Sequence, residues 1–153
     1  MSDNFIKVVT SVIVPHEGGF VYVKTEKDGK YGLPGGKVDP FEDIRVAAPR
    51  EVEEETGLVV VLQNLIGLFY HRSERDNPIL NTVYSSKVIE GTPKIIRPDE
   101  IEGIKTFSLG EIRELHREGK LRAGIANLMP VEEYLRGKTF PLSIIRYLIE
   151  DRG

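Results

Sequence analysis

One acidic stretch, Gly36 to Leu58 (GKVDPFEDIRVAAPREVEEETGL), constrains the chain more than any other. Its spacing is Gly36, five residues, Glu42, seven residues, then Arg50-Glu51-Val52-Glu53-Glu54-Glu55-Thr56-Gly57-Leu58. At average residue frequencies, those positions coincide by chance in a chain of this length with a probability on the order of 10⁻⁷. Asp39, Pro40 and Glu42 have the order of an N-cap, a first helical residue and the third member of a capping box. The pattern predicts a helix from there to about Thr56, ended by Gly57 in a left-handed conformation. At about 100° per residue, Glu51, Glu54 and Glu55 share one face within an arc of roughly 100°. Glu53 points to solvent, and Phe41, Ile44, Ala48 and Val52 form an apolar stripe beside the acidic face. Like charges at i,i+4, such as Glu51 and Glu55, repel by roughly 0.2–0.5 kcal/mol in water and more once desolvated. A divalent cation turns that repulsion into ligation, and hard Mg²⁺ prefers oxygen donors while also holding substrate phosphates. Arg50, one turn before Glu54, is placed to orient its carboxylate.

An acidic run on a helix is usually only a solvated face. The glycine-led spacing argues otherwise, because every specified position matches G-x5-E-x7-R-E-U-x-E-E-x-G-U, where U is a bulky aliphatic residue. The chain therefore resembles the Nudix hydrolases. The resemblance implies an α/β fold with a mixed β-sheet sandwiched between helices (α/β/α). It implies Mg²⁺-dependent hydrolysis, with Mn²⁺ as a substitute, of a phosphoanhydride in a small-molecule nucleotide or pyrophosphate. The metal ligands it implies are Glu51, Glu54 and Glu55, with the carbonyl of Gly36. Glu54 and Arg50 carry the chemistry, and a general base comes from a later acidic loop, where Glu100 is best placed and Asp99 and Glu102 are close behind. Homodimers are common in that family. One departure is Pro49 inside the helix, which removes a bond to the carbonyl of Arg45 and predicts a kink.

Length and composition narrow the remaining possibilities. At 153 residues the chain reads as one domain, residues 1–153. A net charge of −3 gives no general case for nucleic-acid binding, and the absence of cysteine excludes disulfides and thiolate metal sites. No leader pattern at MSDNFIKVV and no apolar run long enough for a bilayer point to a cytoplasmic protein away from membranes.

In chain order, Phe5 to Val14 and Gly19 to Lys24 read as a β-hairpin turning at His16–Gly19. Tyr31 to Gly36 is a glycine-rich loop that permits close backbone approach. Val59 to Arg72 reads as one long strand or two joined by a bulge at Gln63-Asn64, and Ile79 to Ile89 as another after the turn at 73–78. A short strand near Ile104 to Phe107 precedes a helix capped by Ser108 with Glu111 at N3 and stopped by Gly119. Around Ala123 to Arg136 an amphipathic helix is interrupted or divided by Pro130, and Pro141 to Glu150 fits either a helix or a strand, with helix favoured. His16, His71 and His116 lack metal-ligand spacing. Tyr31, Tyr70 and Tyr84 either stack on a base or pack in the core, and Arg72 and Arg75 either meet substrate phosphates or are solvated charges.

Substrate choice lies outside the signature. Leu121-Arg122, Tyr134 and Phe140-Pro141-Leu142 resemble the tail of NudJ-type Nudix phosphatases, which act on nucleoside di- and triphosphates and hydroxymethylpyrimidine pyrophosphate. The other readings are a MutT-type enzyme removing oxidised deoxynucleoside triphosphates and a Nudix-fold module that binds a nucleotide without cleaving it.

Overall fold

A computed structural model describes residues 5–153; the first four residues of the MSDNFIKVV stretch, in which no leader pattern is read, lie outside the described residues. The strands in chain order are β1 (Lys7–Ile13), β2 (Pro15–His16), β3 (Gly19–Thr25), β4 (Tyr31–Gly32) and β5 (Gly35–Lys37). Helix α1 (Ile44–Thr56) follows, then β6 (Val59–Arg72), β7 (Pro78–Glu90), β8 (Ile101–Phe107), α2 (Leu109–Arg117), α3 (Met129–Leu135) and β9 (Phe140–Pro141). One sheet runs β5-β1-β7-β6-β9, with β1 and β7 parallel and the other pairs antiparallel. In the second sheet β3 pairs with β2, β4 and β8.

Side chains alternate across a strand, so a strand buried on both faces feeds two cores. Here neighbours divide in that way: Ile13, Tyr22, Ile66 and Val83 pack with Ile112 of α2 and Val131 of α3. Val12, Val21, Leu65 and Tyr84 pack with Ala48 and Val52 of α1. Helices thus cover opposite faces of the strands, the expected α/β/α arrangement.

Three local expectations need correction. The predicted hairpin partners separate: β1 joins the first sheet, and the tight hairpin is β2–β3 around Glu17 and Gly18, both at positive φ. Helix α1 begins later than its sequence pattern suggested. Glu42 does reach back to the Asp39 N–H at 3.0 Å, but this closes a separate turn in which Phe41 has φ +64° and is exposed. Asp43 is the true cap, its side chain accepting from the Arg45 N–H at 2.9 Å. The C-terminal stretch forms no α-helix. After β9 it makes one 3-10 turn, Leu142–Ile144, and then runs on irregularly. Leu142 and Ile145 pack against the core beside α1, and farther on the Tyr147 hydroxyl donates to the Phe41 carbonyl at 2.5 Å.

Other elements match their patterns. Strand β6 is a single long strand with register shifts between Val59 and Val60, Leu62 and Asn64, and Leu65 and Gly67, the second of which falls at Gln63. Ser108 caps α2 in a complete capping box with Glu111, and Gly119 follows at φ +70°. The segment after it divides into a 3-10 turn at Gly124–Asn127 and α3, with Pro130 in the first turn of α3.

Candidate active site

Helix α1 runs unbroken through Pro49, and Gly57 closes it at φ +75° with its N–H on the Glu53 carbonyl at 2.9 Å. Glu53 is exposed, whereas Glu51 and Glu54 are half-buried and Glu55 is 8% exposed. Three of the four carboxylates therefore turn inward, as the helical spacing predicts.

The glycine loop reaches this face by close approach. A Cβ on Gly36 would lie 2.5 Å from the Glu51 carboxyl carbon, so any larger residue there would have to push that carboxylate aside. One residue earlier, the Gly35 N–H donates to Glu55 Oε1 at 2.8 Å. Burial pushes the Glu55 carboxyl up to about 7, with the Gly35 hydrogen bond and the charge of Arg122 opposing the rise. Burial also raises Glu51, and Arg50 opposes it.

Arg50 is the hub of the acidic face. Its Nε and Nη2 form a fork on Glu42 at 2.8 and 2.9 Å, and its Nη1 donates to Glu51 at 3.0 Å and Glu54 at 3.1 Å. Glu42 thus acts on the acidic face through Arg50, and that hydrogen bond holds its carboxyl below the usual range. Arg50 in turn is raised, chiefly by Glu42. Such bidentate charge-assisted pairs fix geometry as well as charge.

Sequence reasoning missed Arg97. In the loop before β8 its Nη2 contacts Glu54 Oε2 at 2.9 Å and its Nη1 lies 3.5 Å from Glu100 Oε2, so it links the helix to the acidic loop. A lone arginine in a polar loop carries no spacing signal that would have singled it out. Glu100 and Asp99 line a cleft of about 590 Å³ whose walls also include Glu55, Arg75 and Arg122. Glu102 faces elsewhere, paired with Lys24 at 3.3 Å.

The other candidates separate. Arg75 lines the cleft, but Arg72 is largely exposed, pairs with Asp76 at 3.1 Å, and borders a different hollow with Tyr70 and Pro78. Tyr31 packs edge-on against Phe107 at 4.9 Å and lies outside the cleft lining. Tyr84 is fully buried in the α1 core and Tyr70 is exposed.

Whether these residues suit a divalent cation follows from their donor chemistry. Glu51, Glu54, Glu55 and the Gly36 carbonyl offer only hard oxygen atoms, the set Mg²⁺ favours. Glu55 is costly to ionise where it stands, and a cation relieves that cost. Among the described residues, no three acidic or histidine side chains already converge as a cage. Arg50 and Arg97 share Glu54 Oε2 instead.

Fold and site together define a mixed α/β domain built around a glycine-led, arginine-braced acidic helix. The chain belongs to the NUDIX family: the NUDIX domain model matches residues 5–130. Nudix hydrolases generally use a divalent metal. A NUDIX hydrolase structure from Nitrosomonas europaea superposes with a TM-score of 0.84 at 26% identity, covering 94% of this chain and 98% of that one. An ADP-ribose pyrophosphatase of Methanocaldococcus jannaschii is 28% identical over 71% of this chain and 65% of its own length. A putative 8-oxo-dGTP diphosphatase of Bacillus subtilis is 34% identical over 66% of each. The chain thus spans just under two thirds of the length of those two relatives. Phosphatase NudJ of Escherichia coli is 25% identical over 90% of this chain and 89% of its own.

Proposed function

We propose that the chain hydrolyses a phosphoanhydride bond in nucleoside di- or triphosphates, or in a related small pyrophosphate, with Mg²⁺ as cofactor and Mn²⁺ as a substitute. The observation that carries this reading is the Arg50 hub, which holds Glu42, Glu51 and Glu54 in fixed relation beside the buried Glu55. A site that only bound a nucleotide would not need so costly a cluster of carboxylates.

Phosphoanhydrides resist attack because their oxygens are negatively charged, so catalysis consists largely of positioning and charge neutralisation. Glu51, Glu54, Glu55 and the Gly36 carbonyl would hold the cation, which when bound neutralises phosphate oxygens and acidifies a coordinated water. Arg50 keeps Glu51 and Glu54 aimed. Arg97 fixes Glu54 from the other side and draws Glu100 to the rim of the cleft. Glu100 serves as general base. Arg75 supplies positive charge for substrate phosphates from the cleft wall.

The test is a panel of nucleotides, nucleotide sugars and small pyrophosphates, with and without Mg²⁺, with products identified. Phosphate release from many nucleotides supports the proposal, and metal-independent turnover would overturn the mechanism. The name of the Bacillus subtilis relative favours a second reading, a MutT-type enzyme; monophosphate and pyrophosphate released from oxidised triphosphates would establish that one.

A further inference from the structure

Beside Glu55 in the lining of the cleft is an arginine that no step above uses, Arg122. Arg122 follows the buried Leu121, and its backbone is tied at both ends. Its N–H donates to the Tyr31 carbonyl at 2.7 Å, and its carbonyl accepts from Asn127 Nδ2 at 2.6 Å. The next two residues, Ala123 and Gly124, both have φ +53°, a conformation a non-glycine residue adopts only at a cost. Glu74 offsets that cost by accepting from the Ala123 N–H at 2.8 Å while pairing with Lys30. This strained, braced turn aims the Arg122 side chain inward over Gly32, where an added Cβ would sit 3.3 Å from the guanidinium carbon.

The side chain is held but not satisfied. Its Nε and Nη2 are shielded from solvent without a hydrogen-bond partner, and the Asp28 carboxylate stays 3.6 Å from Nε. Those two nitrogens form the side-on edge that grips carboxylate or phosphate by two parallel bonds. A buried donor left unpaired is costly, more so on a charged group, and a ligand that accepts from it recovers the deficit. The side chain also lines the cleft that Glu55 borders.

We propose that Arg122 is a phosphate-binding residue, taking through its Nε–Nη2 edge the substrate phosphate that lies farther from the acidic helix. The inference rests on the phosphoanhydride reading of the site and adds a substrate contact outside the acidic helix.

The probe is methylenediphosphonate, a diphosphate mimic that cannot be hydrolysed, titrated calorimetrically with Mg²⁺ into the full chain. Arg122→Ala should weaken its binding at least tenfold and Arg122→Lys less, because lysine keeps the charge but loses the fork. Melting temperatures should stay within a few degrees of the parent. In turnover, the loss should fall on KM more than on kcat. Binding by Arg122→Ala within twofold of the parent, or no binding by the parent, overturns the proposal. So does equal loss in both variants accompanied by a lowered melting temperature, which marks a structural role. A parent that binds the probe through Arg122 yet hydrolyses no phosphoanhydride leaves this residue's role standing and removes the catalytic reading instead.

Discussion

Helices α1 and α2 are built by opposite rules. Helix α2 satisfies local chemistry throughout: a full capping box, Glu111 in its first turn, and His116 and Arg117 in its last, where they complement the helix dipole. Helix α1 has no acidic residue in its first turn and no basic one in its last, and it carries three glutamates at the end where negative charge is least welcome. It also contains a proline that removes one of its own hydrogen bonds. What holds α1 is tertiary: Ala48 and Val52 in the core, the Arg50 fork, and the Gly35 N–H on Glu55. A sequence that breaks local rules and compensates from elsewhere in the fold marks a working surface, while one that obeys them marks scaffold.

The contrast breaks most visibly at Glu54. Glu54→Gln should lower kcat at least a hundredfold, about 3 kcal/mol or more, with the fold intact by circular dichroism. Full activity in that variant would return α1 to the status of an ordinary solvated helix.

A smaller effect concerns stability and pH. Because Glu55 titrates higher in the folded chain than its ordinary 4.5, the folded state holds the proton more tightly between about pH 4.5 and 7. Metal-free protein should therefore lose about 2–3 kcal/mol of stability as pH rises through that window, and divalent cation should restore it above pH 7. Glu42 and Asp43 are shifted downward by Arg50 and Arg45, so their contributions are lost only as pH falls below about 4.5, whereas Glu51, also raised by burial, adds a loss of the same sign above 4.5. Denaturant titrations of parent and Glu55→Gln across pH 4.5–7.5 check the sign, since the variant should be flatter.

Next in size is Arg50→Lys, which keeps the charge but loses the fork on Glu42. It should reduce kcat/KM about tenfold, measurable by steady-state kinetics. The smallest change tests the scaffold: Ser108→Ala should cost about 1 kcal/mol in denaturant unfolding and leave kcat unchanged. A catalytic defect there would erase the distinction between the two helices.

The same contrast explains what was legible in the sequence. Ser108 with Glu111, and the bulge at Gln63, are recorded in local pattern and are found where that pattern places them. The inward turn of Glu51, Glu54 and Glu55 follows from helical spacing alone. Asp39-Pro40-x-Glu42 misled because a capping signature closes an isolated turn as readily as it opens a helix, and positive φ at Phe41 separates the two. The final stretch fits either helix or strand by local pattern, with helix favoured, because it is set by contacts such as Tyr147 to Phe41 that no local window contains. Arg97 was invisible for the same reason, since its value comes from Glu54, far away in sequence.

Strands β1 and β7 have no disposable face, because Val12 and Ile13, like Val83 and Tyr84, answer to different cores. Inserting or deleting one residue in either strand would exchange the two packings at once, so evolutionary experiment there is nearly closed. Drift is left to the rim, in the turns that carry Arg75, Arg97 and Arg122. A lineage built on this frame can change what it recognises by editing its margins while its central register stays fixed.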